Sequence, residues 1–109
     1  MLHALVLAIL PQVYQTYIRP RFEAFGWSGT LTLYVNNGDV TGTYRPDSGS
    51  PLTQSVIGHR DGTHIWLDIS TLGGLKINGT IKNGAISGLG TSPEKAGAYI
   101  FIATPNVSH

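Results

Sequence analysis

The chain has 109 residues, seven basic and six acidic side chains, a formal net charge of +1 and no cysteine. That length is one domain with room for a core. The near-neutral balance supplies no basic stripe for nucleic acid, and without cysteine there are no disulfides, thiolate metal sites or cysteine nucleophiles. Glycine-rich and threonine-rich, with 12% charged residues, the composition fits strands joined by tight turns.

From Leu2 to Leu10 the chain is apolar. Past Pro11, Val13, Tyr14, Tyr17 and Ile18 recur against Gln12, Gln15, Thr16 and Arg19 at helical spacing. The pattern predicts an N-terminal helical segment within residues 1–25, with Pro11 kinking one helix or starting a second and Pro20 marking the end. The apolar run falls short of the roughly 20 residues needed to span a bilayer. Met1-Leu2-His3 carries no Lys or Arg and no small-residue cleavage site precedes Pro11, which makes a poor signal peptide. The helix is expected to cover the apolar face of a sheet built from residues 26–109; membrane anchoring and self-association are the other roles open to it.

The sheet announces itself at Gly29–Tyr44. Two alternating runs, Thr30–Val35 and Val40–Tyr44, flank Asn37-Gly38, a strong hairpin signal. A two-residue loop there sets Val35 against Val40, Leu33 against Gly42 and Leu31 against Tyr44 on an apolar face, with Tyr34 against Thr41 and Thr32 against Thr43 on a polar one. Asp61-Gly62 reads as a second loop, pairing Gly58 with Ile65, Val56 with Leu67 and Gln54 with Ile69; His59 then meets His64, Ile57 meets Trp66 and Ser55 meets Asp68. Asn83-Gly84 is the third, placing Ile81 against Ile86, Gly79 against Gly88 and Thr80 against Ser87. A last strand, Ala98–Thr104, precedes Pro105.

The expected fold is therefore mainly β: an N-terminal helical segment followed by about seven antiparallel strands in an up-and-down meander, one domain overall, either closed into a barrel or strongly curled around the helix. Leu31, Leu33, Val35, Val40, Val56, Ile65, Leu67, Ile69, Leu75, Ile77, Ile81 and Ile86 are expected on one buried face. The strand glycines Gly42, Gly58, Gly79 and Gly88 point to sharp curvature or close approach of another group. Tyr99–Ile102 is too apolar for a free edge, which favours closure or pairing with a second copy.

Chemistry is sparse. A cross-strand His59/His64 pair needs a third metal ligand, and Asp68 lies too far along the strands to be an obvious one, so solvated turn histidines are the simpler reading. No nucleophile, paired carboxylate or phosphate loop assembles from the spacings, and His59-Arg60-Asp61 lacks the rest of a kinase catalytic loop; neither an enzymatic activity nor a cofactor or metal is expected. Asn78-Gly79-Thr80 and Asn106-Val107-Ser108 match the short glycosylation pattern. On the polar face Trp66 and Tyr34, with His64 and Asp68, offer flat apolar area beside hydrogen-bonding groups, a candidate sugar-binding surface.

Two resemblances bear on function. WSGTLTL at Trp27–Leu33 with GDVTGTY ending at Tyr44 resembles the first hairpin of avidin and streptavidin and, more loosely, of other calycin barrels such as the lipocalins. It implies that Tyr44 points into a barrel and hydrogen-bonds a ligand, and that Trp27 lies near the closed end. LVLAILPQVYQTYIR, Leu5–Arg19, is similar to the middle of a type IV pilin N-terminal helix, which implies a filament or assembly subunit.

The functional expectation is a non-catalytic binding module, secreted or of the cell envelope. It would hold a small, largely apolar ligand on the concave face between Leu33 and Leu67, with Tyr44 and Trp27 at the site. The alternatives are a structural subunit assembling through its apolar helix and a sugar-binding polar face. A homo-oligomer is expected, because an apolar helix and an apolar last strand exceed what one small copy covers. Membrane contact is expected only through the N-terminal helix.

Overall fold

A computed structural model describes residues 10–48 and 52–106. Eight strands follow one another around a closed antiparallel barrel: β1 Gln12–Pro20, β2 Trp27–Asn36, β3 Asp39–Pro46, β4 Gln54–Asp61, β5 His64–Ile69, β6 Leu75–Lys82, β7 Ala85–Ser92 and β8 Lys95–Pro105. Each pairs with its sequence neighbours, and β8 returns to β1. This up-and-down closure is consistent with a calycin-like barrel.

No helix occurs among the described residues, which corrects the expected fold class. The segment read as helical, Gln12–Arg19, is a stave of the barrel, bonded to β2 on one side and β8 on the other. Tyr14, Thr16 and Ile18 point inward, whereas Val13, Gln15, Tyr17 and Arg19 point outward. The alternation was hidden by composition: the inward row contains a threonine and the outward row a valine and a tyrosine. A period of two thereby imitated one of 3.6. Thr16 is tolerated inside because its Oγ1 donates to Gly29 O at 2.9 Å. The pilin-like reading loses its helix over Gln12–Arg19, and Leu2–Ile9 lie outside the described residues.

The first and third hairpins have the registers their sequences predict, with Val35 opposite Val40 and Ile81 opposite Ile86. Asn37 and Gly38 have φ of 52° and 91°, and Asn83 and Gly84 53° and 79°, the two positive angles of a type I′ turn. The second hairpin differs. Its loop is Gly62-Thr63, with φ of 62° at Gly62 alone, the signature of a type II′ turn that needs glycine first. Moving the loop by one residue shifts every cross-strand partner by two, so each side chain keeps its face and changes its neighbour. His59 therefore pairs with Trp66, Ile57 with Asp68 and Asp61 with His64.

The inward faces make one continuous core. All the expected core residues are buried except Val35 and Ile81, which pack against it half-buried, and Tyr14, Ile18, Tyr44, Tyr99, Phe101 and Ala103 join them. So small a barrel holds these side chains only if others are absent. Gly42 faces Leu33, and Gly58 faces Leu67. A Cβ on Gly42 would sit 1.9 Å from Thr32 O, and one on Gly58 2.0 Å from Trp66 O, so each neighbouring strand occupies the space a side chain would need. A Gly42→Ala substitution is expected to lower stability by about 2–3 kcal/mol, since backbone must move to admit the methyl. The exposed neighbour change Thr41→Ala is expected to cost within about 0.5 kcal/mol. Urea denaturation midpoints of the two variants check the contrast.

Candidate functional site

The residues expected to form a ligand site inside the barrel are found in its packing. Leu33, Leu67 and Tyr44 are buried, with Tyr44 and Leu33 fully so. Tyr44 crosses toward β2, its ring lying where a Cβ on Gly29 would come within 2.7 Å of it. Trp27 closes this end of the barrel half-buried, edge-on to Tyr99 with centroids 6.2 Å apart at 71°. Tyr44 and Trp27 are thus brought together at one end, whereas Leu33 and Leu67 lie further along the interior among aliphatic side chains. Val13 and Tyr17 are on the outward face, away from Leu33 and Leu67.

The Tyr44 hydroxyl is buried and makes no hydrogen bond. Thr16 and Trp27 are its polar neighbours, short of a formed hydrogen bond. Burial pushes the Tyr44 hydroxyl above the ordinary tyrosine range; Thr16 and Trp27, which favour the phenolate, offset part of the rise, and the Asp47 carboxylate adds to it. Tyr14, whose hydroxyl donates to Gln12 Oε1 at 2.8 Å, is raised by burial in the same direction and partly drawn back by the Arg60 charge.

On the outer wall, the register places His59, Trp66, Asn78, Leu89 and Ile100 in one row across β4 to β8, and Tyr34, Thr41, Ile57, Asp68, Lys76 and Thr91 in the next row across β2 to β7. Between these rows runs a groove of about 630 Å³, with Trp66, Ile57 and Leu89 as its apolar parts and His59, Asp68, Lys76, Asn78 and Thr91 as its polar ones. Trp66 is 38% exposed, Leu89 50% and Ile57 61%. A water-facing wall normally places threonine, serine or charge at such positions, as β3 does with Asp39, Thr41, Thr43 and Arg45.

The indole is braced by two imidazole rings. The His64 ring stacks on Trp66 at 4.3 Å and 16°. It is held there by Nε2, which donates to Asn78 Oδ1 at 2.6 Å. His59 adds a looser stack at 5.8 Å and 28°. His64 and Asp68 flank Trp66 two residues to either side on one strand face, and Asp68 lines the groove where His64 does not. Of the two rings stacked on the indole, His59 lines the groove and His64 does not. Its floor is tied by Lys76 Nζ donating to Asp68 Oδ2 at 2.8 Å.

Among the surface residues singled out from sequence, Trp66, His64 and Asp68 come together, while Tyr34, 39% exposed, stands beyond Thr41 and Ile57 in the second row. The expected His59–His64 pairing is replaced by two stacks on Trp66. No three His, Asp or Glu side chains gather among the described residues. Sequence reasoning set Ile57 directly opposite Trp66, where the register gives it Asp68, and missed Lys76, Asn78, Leu89 and Thr91 as further partners of Trp66. The available signal was Leu89, an aliphatic residue on the polar face of its strand.

No protein-family model matches the chain, and no curated protein sequence matches it significantly.

Two outcomes follow for the inner tyrosines. Replacing Tyr44 by Phe removes a buried hydroxyl that has no partner, so stability is expected to hold or rise by up to about 1–2 kcal/mol; a loss of that size in urea denaturation would show that the hydroxyl is bonded. With both folded values raised, Tyr14 and Tyr44 contribute stability that is full below the ordinary tyrosine value of about 10 and is lost as pH rises through the raised values. Melting temperature should fall above about pH 10, and less steeply in Tyr44→Phe.

Proposed function

We propose that the protein is a non-catalytic binding module that recognises a sugar ring in the outer groove against Trp66. The observation that carries this reading is the braced indole: His64 and His59 stack on it, and it borders a groove with hydrogen-bonding groups around it. A sugar presents patches of C–H beside hydroxyls, and so needs a flat apolar surface next to donors and acceptors. Trp66, Ile57 and Leu89 supply the first. Asp68 supplies acceptors, Lys76 supplies donors, and Asn78 and Thr91 supply both. The volume lies within the range of small-molecule sites, with the usual few polar groups on an apolar lining.

Bracing matters energetically. A side chain already fixed by His64 and its Asn78 bond loses little rotational freedom when a ligand arrives, so more of the contact energy is retained. The Asp68–Lys76 pair is exposed and worth little to stability. Its two charges are instead available to hydroxyls without first being dug out of the fold.

A second reading is favoured by the unpartnered Tyr44 hydroxyl: a small, largely apolar ligand at the Trp27 end, bonded by Tyr44 as the avidin-like hairpin implies. Such a ligand has to displace Trp27 from its place beside Tyr99. The outer groove requires no rearrangement of the core and is the reading we favour. Homo-oligomer formation through the exposed Ile57, Leu89 and Ile102 competes with the sugar for the same wall.

The test is titration of a Trp27→Phe protein with a panel of neutral mono- and oligosaccharides, read by the emission of Trp66 as the remaining tryptophan. At least one sugar is expected to change the emission saturably, and Trp66→Ala, followed by calorimetry, to weaken binding by about tenfold or more, corresponding to about 1.4 kcal/mol. Asp68→Asn should weaken it as well. Emission that responds to protein concentration and to no sugar would instead assign the wall to self-association.

A further inference from the structure

The opposite end of the barrel from Trp27 carries a cation that forms no ion pair among the described residues. Arg60 occupies an inward position at the end of β4, at the mouth where the three hairpin turns gather. Its Nε donates to Gly62 O at 3.0 Å, which ties the side chain to its own turn, and its backbone N–H donates to Gly38 O at 2.8 Å. The two terminal nitrogens of the guanidinium have no partner among the described residues. Asp39 and Asp61, the carboxylates of this end, stand at outward, exposed positions and form no ion pair with Arg60.

A cavity of about 460 Å³ opens here, and its lining is divided by chemistry. Arg60, Tyr14 and Gln12 line one part; the inward Ile81 and Pro105 form an apolar part. Tyr14, 6% exposed, donates to Gln12 Oε1, so the Gln12 carbonyl is occupied while its NH₂ group keeps its hydrogens for another acceptor. The free donors of the mouth therefore come from a guanidinium and an amide, with apolar surface beside them and no anion in the cavity lining among the described residues.

We propose that this mouth is a second binding site, independent of the outer groove, for a small organic carboxylate with a short apolar tail. The carboxylate takes the paired terminal N–H groups of Arg60, a fork that matches its two oxygens. The Gln12 amide adds a third donor, and the tail lies on Ile81 and Pro105. Carboxylate recognition rather than simple solvation of an arginine rests on pre-organisation: the Nε bond to Gly62 fixes the fork, and the cavity gives the tail a place to leave water.

The experiment is a set of ¹H–¹⁵N titrations of the whole chain with three probes: hexanoate, hexanol and inorganic phosphate. Hexanoate is expected to shift the amides of Tyr14, Arg60 and Ile81 saturably, at least tenfold more tightly than hexanol, while phosphate leaves Ile81 unmoved. Arg60→Gln is expected to bring hexanoate down to the level of hexanol. Its spectrum reports directly whether the barrel is intact, and Arg60→Lys, which keeps the charge and loses the fork, is expected to weaken hexanoate at least threefold. Equal binding of hexanoate and hexanol, hexanoate binding undiminished in both variants, or no saturable shift would overturn the assignment. Phosphate shifting the same three amides as strongly as hexanoate would overturn the role of the apolar wall.

Discussion

Pairing of β1 with β8 is the interaction the rest of the molecule depends on. Seven residues of β1, Tyr14–Pro20, lie opposite Tyr99–Pro105. This removes both edges of the sheet at once, and with them the exposed row of backbone donors and acceptors that an apolar strand such as Tyr99–Ile102 makes hazardous. Closure also decides the interior. It brings Tyr14, Thr16 and Ile18 in beside Phe101 and Ala103, and it limits the space in which every inward side chain has to fit. Gly42 opposite Leu33, Gly58 opposite Leu67 and Gly88 opposite Phe101 are the complement of that limit: small where the partner is large.

A barrel filled by its own side chains places its chemistry elsewhere. The inward residues that sequence reading assigned to a ligand, Leu33 and Leu67, are occupied with holding the strands together, and Tyr44 is left with a buried hydroxyl that has no bond. The polar groups with freedom to act lie on the outer wall around Trp66 and at the mouth beside Arg60. Both depend on the second hairpin. Its Gly62-Thr63 turn puts His59 beside Trp66, and Gly62 O holds the Arg60 side chain. One glycine at φ 62° thus positions groups on two surfaces of the molecule.

How much was legible in the sequence varied with the range of the interaction. Asn37-Gly38 and Asn83-Gly84 are local signals, and the registers they imply are those observed. Asp61-Gly62-Thr63 contains two overlapping signals, Asp-Gly for one turn type and Gly-first for the other. The faces survived the choice and the neighbours did not, so Trp66 and Asp68 were placed on the right side of the sheet while the His59–His64 pair was misplaced. β1 was read as helix because Thr16 broke its inward apolar row and Val13 and Tyr17 decorated its outward one. Its β-branched and aromatic content, Val13, Tyr14, Thr16, Tyr17 and Ile18, was the evidence for a strand. The groove itself depends on the pairing across Ser70–Gly74, a longer connection whose register no turn motif sets. That is why Lys76, Asn78, Leu89 and Thr91 were not seen to converge on Trp66.

The most direct test is a nuclear Overhauser spectrum of the intact chain, examined between β1 and β8. Cross-strand backbone contacts are expected between Thr16 and Ala103 and between Ile18 and Phe101, together with strong sequential contacts along Gln12–Arg19. Contacts three residues apart along Gln12–Arg19, with none to Phe101 or Ala103, would restore the helix, leave the barrel open and contradict the filled interior on which both binding surfaces are argued.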